Sequence, residues 1–432
     1  MSRRAIAILG LGLAACALAG CGSGEEPKPA EPAPAPTPAA AAPRATPADL
    51  PSGLVLSLAQ FAMKEGKPVP GAARLEFLSR TGGAWRMTSL EDPQSNVFHK
   101  AMLYPGADGP RLLTLGGTAA IVKAWKKNPA GALEGQVLWQ KDFGGKFSRM
   151  RDAEFADLYG DGKQDIAVAT HDQGVVAVLR PTADGFSAEE LDRQKDIFVH
   201  EIEVGDLDRD GKPEVYATPS EPNRLEAGES QSGHVVRYVP AAGKKREVVA
   251  DLGERHAKEI LVADVDGDGT DELYVSVEGD INEAKELVHK VEIRRYDAGT
   301  PPTGGAVIAT LDDRLSRFLT AGDVDGDGKK ELVAAAFSSG LWLLRPGADP
   351  KGPWKVESID TDSAGFEHAA ILCDLDGDGT DELYVASDQH KQVRRYAWDG
   401  RKLAREVIYS RPDDRPIFTW NVMPIPRELI PN

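Results

Sequence analysis

The chain has 432 residues, including 44 glycines and 30 prolines, and only 6% of its residues are aromatic, a composition typical of β proteins with many turns. Its formal net charge of −17 at pH 7 argues against nucleic acid and anionic membrane surfaces as partners. Its three cysteines are too few to suggest a disulfide framework.

Residues 1–20 have the pattern of an export signal. Arg3 and Arg4 precede an apolar run that is shorter than the ~20 residues of a membrane span. The run ends in Leu-Ala-Gly-Cys, which resembles a bacterial lipobox and implies that Cys21 carries a lipid; a plain secretory signal is the alternative. Residues 21–47 are rich in proline and alanine, so we expect a disordered linker between the lipid and a folded domain at 48–432.

An acidic nonapeptide recurs within the predicted domain, with aspartate at positions 1, 3 and 5, glycine at 6 and glutamate at 9. Its four intact copies begin at Asp206, Asp264, Asp323 and Asp374. A degenerate copy begins at Asp157, with Tyr159 in place of the second carboxylate, and 49 residues before it only a turn at Asp108 remains. Each copy leads into an apolar, β-branched run, and a repeat of about 50 residues with four strand-like runs is typical of propeller blades.

The spacing of the loops divides the chain into six predicted repeat units. They begin near Phe98, Phe147, Phe198, Arg255, Ser316 and Phe366. In the sixth unit, the predicted strands are 366–373, 383–387, 392–398 and 403–409. Strand-like segments at 53–58, 74–79, 85–90 and 417–425 belong to no unit, and an open ring would leave unpaired sheet edges. We therefore predict an all-β fold, a seven-bladed propeller of four-stranded antiparallel blades that is closed by a strand from each terminus.

The acidic loops have the oxygen ligands that Ca²⁺ prefers, and four carboxylates within nine residues would repel one another without a cation. Merely polar turns are the alternative. The repeat resembles the FG-GAP/VCBS family, found in integrin α-chain propellers and in rhamnogalacturonan lyases, and the resemblance covers about residues 48–432. It implies ligands from side chains at positions 1, 3, 5 and 9 and from the backbone carbonyl at 7.

Four calcium sites with a structural role are expected from these positions. The ligands would be Asp206, Asp208, Asp210, Lys212 and Glu214; Asp264, Asp266, Asp268, Thr270 and Glu272; Asp323, Asp325, Asp327, Lys329 and Glu331; and Asp374, Asp376, Asp378, Thr380 and Glu382. The degenerate loop offers Asp157, Asp161 and Asp165. Because it is one carboxylate short, the occupancy of this fifth site is left open.

A basic position recurs six residues before the first aspartate of each loop. It holds Arg151, His200, Lys258, Arg317 and His368, and His99, Lys100 and Trp420 lie near the same place in the first and seventh blades. Inner strands of a propeller begin at one end, so these side chains are expected to ring the mouth of the central channel, opposite the calcium loops. Such a ring could bind carboxylate, sulfate or phosphate groups, or it could be structural and pair with Asp152, Glu201 and Glu259. Long insertions at 219–233 and 278–289 are expected on the same face.

The sequence lacks the motifs of a nucleophile elbow, a phosphate-binding loop or a zinc site, so a binding protein is favoured over an enzyme. We expect a calcium-stabilised, lipid-anchored monomer of the bacterial cell envelope that binds a glycan, an anionic small molecule or an envelope protein, and no nucleic acid. Two alternatives remain open. One is a lyase for uronide glycans, in which His200, His368 or Lys258 abstracts a proton; the other is a protein-assembly scaffold.

Overall fold

The computed structural model of the protein describes residues 46–106, 109–117, 119–144, 148–183, 185–194, 197–222, 232–412 and 415–432. The predicted export signal, the lipidated Cys21, nearly all of the predicted linker and the turn residue Asp108 lie outside the described residues. The described chain forms seven four-stranded antiparallel sheets, arranged as the blades of a propeller. The predicted all-β, seven-bladed fold is therefore confirmed.

Strands are numbered here along the chain. Blade 7 contains β1 (Ser52–Lys64), β2 (Lys67–Pro70), β3 (Ala73–Thr81) and β4 (Ala84–Asp92). Blade 1 contains β5 (Phe98–Gly106), β6 (Gly109–Gly116), β7 (Ala120–Lys127) and β8 (Leu133–Lys141). Blade 2 contains β9 (Met150–Ala156), β10 (Asp165–Thr170), β11 (Val175–Thr182) and β12 (Gly185–Arg193). Blade 3 contains β13 (Ile197–Gly205), β14 (Glu214–Pro222), β15 (His234–Val239) and β16 (Lys244–Asp251).

The remaining blades follow the same order. Blade 4 contains β17 (Ala257–Ala263), β18 (Glu272–Val277), β21 (Val291–Tyr296) and β22 (Ala306–Leu311), with a separate hairpin of β19 (Asp280–Ile281) and β20 (Leu287–His289). Blade 5 contains β23 (Ser316–Gly322), β24 (Glu331–Ala336), β25 (Leu341–Arg345) and β26 (Lys355–Asp360). Blade 6 contains β27 (Ala370–Cys373), β28 (Glu382–Ser387), β29 (Gln392–Trp398) and β30 (Leu403–Ser410), and β31 (Ile417–Pro426) ends the series.

Short 3-10 turns lie at Pro240–Ala242, Asp388–His390 and Arg427–Leu429. Within the described ranges, we find no helix of the length and apolarity needed to cross a membrane.

Blade 7 is built from both ends of the chain. The C-terminal strand β31 is its inner strand and pairs antiparallel with β1, from Ser52 opposite Pro426 to Gln60 opposite Ile417. The strands β3 and β4 complete the blade, and the far end of β1 forms a hairpin with β2. The inner strands of neighbouring blades contact one another around the whole ring, and β31 lies between β27 and β5. The predicted closure by one strand from each terminus is therefore confirmed.

The cores lie between adjacent blades, because each blade is covered on both faces. In β10, Ile166 and Val168 pack against blade 1, whereas Ala167 and Ala169 pack against blade 3. Alternate residues of a strand point to opposite faces, so a strand between two blades must be apolar at every position. This explains the uninterrupted apolar runs that follow the acidic loops.

Blade 6 departs from its predicted bounds at the inner strand. The strand β27 begins at Ala370, four residues later than predicted, whereas the other three strands lie within one residue of their predicted ends. The cause lies at His368, whose φ of 58° is left-handed and takes the chain out of the extended conformation. The predicted insertion at 278–289 contains the β19–β20 hairpin, and most of the insertion at 219–233 lies outside the described residues.

Candidate functional site

The acidic loops lie where each inner strand turns into the second strand of its blade. In blade 4, Asp264 Oδ1 accepts a hydrogen bond from the Gly267 amide at 2.8 Å, and Asp264 Oδ2 accepts one from the Gly269 amide at 2.9 Å. Both glycines have positive φ angles, 77° and 81°, which glycine adopts without strain. The first aspartate therefore folds the loop and leaves the other carboxylates free to converge.

Carboxylate oxygens do converge in all four intact loops. One oxygen from each residue of the following groups lies within 4.8 Å of the others: Asp264, Asp266, Asp268 and Glu272; Asp206, Asp208 and Asp210; Asp323, Asp325 and Glu331; and Asp374, Asp376 and Asp378. The residues at position 7 are Lys212, Thr270, Lys329 and Thr380, and their amides donate to the aspartate at position 5. The converging carboxylates are all among the predicted ligands, but Glu214, Asp327 and Glu382 of the predicted sets are not in these groups.

Two further observations show that these groups fit a hard cation. The Oδ1 atoms of Asp325 and Asp376 are buried and have no hydrogen-bond partner among the described residues. Burial, together with neighbouring aspartates, raises the pKa of Glu272, Glu331 and Glu382 to about 7. Because buried carboxylates so close together are costly without a positive charge, a divalent cation with oxygen ligands suits each loop.

The degenerate loop of blade 2 differs from the intact ones. Asp157 still accepts the amides of Asp161 and Gly162, at 2.9 and 2.8 Å, but Tyr159 donates its hydroxyl to Glu189 at 2.7 Å. In the part of the chain that the structure describes, Asp157, Asp161 and Asp165 do not bring three carboxylate oxygens together. The missing carboxylate at position 3 therefore removes the converging group.

The opposite end of the inner strands carries the predicted basic positions. Arg317 and Arg151 both donate to Glu367, at 2.8 and 3.4 Å. Because Glu367 belongs to blade 6 and Arg151 to blade 2, this contact crosses the mouth of the channel. Arg317 Nε also lies 3.8 Å from Glu278, whose other oxygen lies 3.6 Å from Lys258 Nζ. The basic ring is therefore interleaved with glutamates and is not uniformly cationic.

A path of aromatic rings follows the mouth through six blades. Consecutive ring centroids lie 4.3 to 6.5 Å apart in the order Phe198, His171, His99, Trp420, Phe366 and Phe337. The guanidinium carbon of Arg151 lies 5.4 Å from the centroid of Trp420, and that of Arg317 lies 4.7 Å from the centroid of Phe366. We call these six rings, together with Arg151, Arg317 and Glu367, the mouth cluster.

A β-bulge places Trp420 in the mouth cluster. Ser57 of β1 pairs with Asn421 and Leu58 pairs with Thr419, so Trp420 is the extra residue of β31. Its indole Nε1 is buried and has no hydrogen-bond partner among the described residues, and the same holds for Arg317 Nε. Two donors of the cluster are therefore buried without a hydrogen-bond partner in the described chain.

Four predicted ring residues are not members of the mouth cluster: Lys100, His200, Lys258 and His368. Two of them lie beside it, since the His200 ring centroid is 5.3 Å from that of His171 and Lys258 contacts Glu278.

The other two, His368 and Lys100, are displaced. His368 is completely buried, its Nδ1 donates to the Ala336 carbonyl at 2.7 Å, and its Nε2 accepts from the Ser363 hydroxyl at 2.8 Å. Lys100 lies further along the channel, where its Nζ is 2.8 Å from Asp152 Oδ1. The left-handed backbone at His368 explains the first displacement, since it turns Glu367 toward the mouth in its place.

An acidic layer lies behind the mouth cluster, one and three residues further along the inner strands. It contains Asp152, Glu154, Glu201, Glu203 and Glu259, and burial raises the pKa of Glu201, Glu203 and Glu259 well above the usual value. Asp152 accepts the Ile202 amide at 3.0 Å and Glu259 accepts the Leu319 amide at 2.8 Å. These two carboxylates tie neighbouring inner strands together, so part of the layer is structural.

The profile of the FG-GAP-like repeat matches residues 157–217 and 323–385, which contain the degenerate loop, three of the intact loops and the strands around them. The chain is an FG-GAP repeat propeller. No curated protein sequence matches it.

Solved structures with a similar fold also exist. They include a periplasmic gluconolactonase of Pseudomonas aeruginosa (15% identity, 85% of this chain and 99% of that chain, TM-score 0.48), a protein from Lactobacillus plantarum (14%, 87% and 99%, 0.50) and a protein of Bacteroides uniformis proposed to be a 6-phosphogluconolactonase (14%, 87% and 100%, 0.49). At this level of identity, the likeness to the Lactobacillus plantarum protein concerns the fold alone.

Buried histidines at the mouth of this FG-GAP propeller are held neutral at pH 7. Burial lowers the pKa of His99 and His200 well below the usual value, and the nearby cations Arg151 and Lys258 lower it further. Glu367 behaves in the opposite way: burial opposes its ionisation, but Arg317 and Arg151 outweigh burial and hold its pKa below the usual value. The charges of the mouth cluster are therefore two guanidiniums and one carboxylate.

Acid should destabilise the FG-GAP propeller partly through His368. Burial lowers the pKa of this imidazole to about 4, whereas the unfolded chain protonates it near 6.5. Stability is therefore unaffected above pH 6.5 and falls as the pH decreases from 6.5 to 4, by about 3 kcal/mol for this group. Urea unfolding at pH 7.5, 5.5 and 4.5 should show a flatter pH dependence for His368→Asn, even though this variant loses two hydrogen bonds and is less stable at pH 7.5.

The matched control is His289→Asn, because His289 is exposed on the β19–β20 hairpin. This variant should keep the pH dependence of the parent protein. If stability falls equally steeply with decreasing pH in His368→Asn and in the parent protein, His368 is not a cause of the acid destabilisation.

Five residues of the mouth cluster were not predicted as ring residues from the sequence: His171, Phe198, Phe337, Phe366 and Glu367. Phe366, like Phe198, stands eight residues before the first aspartate of its loop, so the same counting extended by two residues finds it. His171 and Phe337 directly follow the second strands β10 and β24, each 14 residues after the first aspartate of its loop. The same position holds Ser220, Glu278 and Asp388 in the other loop-bearing blades, so no shared residue type marks it. Only the arrangement of the blades brings these rings to the channel.

Proposed function

We propose that this FG-GAP propeller is a calcium-stabilised, lipid-anchored binding protein of the bacterial cell envelope that recognises an acidic glycan at the mouth cluster. The calcium part is supported by the converging carboxylates of the four loops. The lipid anchor at Cys21 and the envelope location rest on the sequence of residues 1–21.

The observation that carries the glycan proposal is the aromatic path with its two arginines. Sugar rings present apolar C–H faces that stack on aromatic side chains, and Phe366 is 41% exposed at the mouth. Guanidinium groups bind carboxylates through paired hydrogen bonds, and Arg151 and Arg317 already hold the carboxylate of Glu367. A uronate sugar supplies both groups, an apolar ring face and a carboxylate, within one residue of a chain.

The test is a calorimetric titration of the purified protein with matched oligosaccharides that differ only in whether the sugar carries a carboxylate or a hydroxymethyl group. We expect the acidic member to bind at least 10-fold more tightly. Arg317→Gln should abolish this difference, and Trp420→Ala should weaken the binding of both members. Arg86→Gln, at an exposed position of β4, is the matched control and should change neither affinity.

Two results would contradict the proposal. Equal binding of the acidic and neutral members would rule out recognition of the carboxylate. An increase in ultraviolet absorbance from an unsaturated product would identify a lyase acting on uronides, the alternative considered for the sequence.

A further inference from the structure

An arginine faces the acidic loop from the third strand of each loop-bearing blade. The intact loops face Arg237 of β15, Arg295 of β21, Arg345 of β25 and Arg395 of β29, and Arg180 of β11 faces the degenerate loop. Five repeats share this feature, although their third strands begin at different distances along the chain from the loops. The recurrence points to a common role at the loop.

In blades 4 and 5, the arginine bridges two carboxylates of the loop. Arg295 Nη2 lies 2.7 Å from Asp266 Oδ2 and 3.2 Å from Glu272 Oε1. In the neighbouring blade, Arg345 Nη1 lies 2.8 Å from Asp325 Oδ2, and it also contacts Glu331. Each guanidinium therefore joins position 3 of its loop to position 9.

The other two intact blades repeat this arrangement. In blade 3, Arg237 Nη1 lies 2.6 Å from Glu214 Oε1 and 3.4 Å from Asp208 Oδ2. In blade 6, Arg395 contacts Glu382 and lies 3.6 Å from Asp376 Oδ2. The pair of loop positions is the same in all four blades.

Strand register produces this contact. Tyr274, two residues after Glu272, stands directly opposite Arg295 in the β18–β21 pair, and Tyr384 stands opposite Arg395 in the β28–β29 pair. A residue two positions away on the paired strand lies diagonally on the same face of the sheet. The side chains of the arginine and of the glutamate at position 9 therefore point to the same side of the blade.

In blades 5 and 6, the guanidinium leaves one oxygen of the position-3 carboxylate unused, whereas in blades 3 and 4 that oxygen accepts the amide of position 5 at 3.2 Å. Oδ2 of Asp325 and of Asp376 faces the arginine, whereas Oδ1 of each is buried without a hydrogen-bond partner among the described residues. The side chain of Asp376 is only 6% exposed, so water does not satisfy this oxygen from bulk solvent. Since Oδ1 of both residues lacks a donor, it is the oxygen available to a cation.

We propose that Arg237, Arg295, Arg345 and Arg395 are positioning residues for the calcium ligands. Each holds the carboxylates at positions 3 and 9 in the orientation that the ion requires and does not itself touch the ion. Groups that hold metal ligands from behind change metal affinity by about 10- to 100-fold when they are removed. The guanidinium also offsets part of the negative charge that remains after Ca²⁺ has met four carboxylates. This inference rests on the calcium part of the proposed function.

The test is a calorimetric titration of the purified, chelator-treated protein with Ca²⁺ alone. We expect four sites in the parent protein. In Arg295→Gln, one of the four should weaken by at least 10-fold, while the other three keep their affinity. Arg295→Lys keeps the charge but makes fewer contacts, and it should recover part of the lost affinity. Arg294→Gln is the matched control, because Arg294 contacts Glu292 and its side chain lies on the other face of β21.

The outcomes separate the inference from the proposed function. Four sites of unchanged affinity in Arg295→Gln would overturn the inference and leave the calcium sites standing, and a tighter site would show that the guanidinium competes with the ion. A parent protein that binds no Ca²⁺ would overturn both. Should Arg295→Gln fail to fold, Arg237→Gln provides the same comparison in blade 3, where the side chain is 15% exposed.

Discussion

A chain that ends after Pro416 is expected to lose its cooperative fold. The truncation removes β31, the inner strand of blade 7, and exposes the whole edge of β1. It also removes Val422, Ile425, Leu429 and Ile430, which are buried against blades 6, 7 and 1. At about 2 kcal/mol for each side chain, this loss alone approaches the net stability of a typical domain. Thermal melting followed by circular dichroism should show no cooperative transition.

A pair of point variants provides the control. Val422→Asp buries a charge in the closing strand, where the side chain is 1% exposed, and should destabilise the protein by about 4 kcal/mol or more. Val407→Asp makes the same change on the outer strand of blade 6, where the side chain is 45% exposed, and should have little effect. A truncated chain that melts cooperatively at the temperature of the parent protein would show that closure is not needed.

The fold could be predicted from the sequence because its signals are local and periodic. Each acidic loop fixes the turn between two strands, and the spacing of the loops fixes the size of a blade. The strand-like segments at the two ends, which belong to no repeat unit, could then pair only with each other to form the seventh blade. Physical requirements that act on every blade alike, such as covered faces and paired edges, leave few alternatives.

The mouth cluster was only partly predictable, because it depends on contacts across the ring. Arg151 and Glu367 are 216 residues apart and meet over the channel. Counting back from the loops assumes an extended inner strand in every blade, and this assumption is wrong in blade 6, where His368 has a left-handed backbone. Because His368 has a positive φ, the mouth carries the carboxylate of Glu367 where the sequence predicts a basic side chain.

The arginines that face the acidic loops illustrate a second limit. Arg295 follows the first aspartate of its loop by 31 residues, whereas Arg395 follows its own by 21, because the connections between the second and third strands differ in length. Fixed spacing therefore does not reveal them. Their common feature is a position on the paired strand that shares a face with the glutamate at position 9, and it becomes visible only once the strands are paired.

Removal of calcium is expected to cause the second large loss of stability. A ligand that binds only the folded state adds about 2.7 kcal/mol per site at a concentration 100 times its Kd, so four sites add about 11 kcal/mol. Adjacent loops are also linked, since Asp206 and Asp323 donate their amides to Asp271 and Asp381 of the next blade, at 3.1 and 2.9 Å. Loss of one ion therefore loosens a contact of its neighbour.

Calorimetric melting with and without a chelator should show the melting temperature falling by roughly 10 to 20 °C, and added Ca²⁺ should restore it. Asp268→Asn, in an intact loop, should lower the melting temperature in calcium, whereas Asp161→Asn, in the loop without converging carboxylates, should not. If the melting temperature is the same with chelator and with calcium, the loops need no ion for their stability. Arg237, Arg295 and Arg345 would then be the charges that neutralise their loops, since each already contacts the glutamate at position 9. The fold would then be held by guanidinium groups in place of ions.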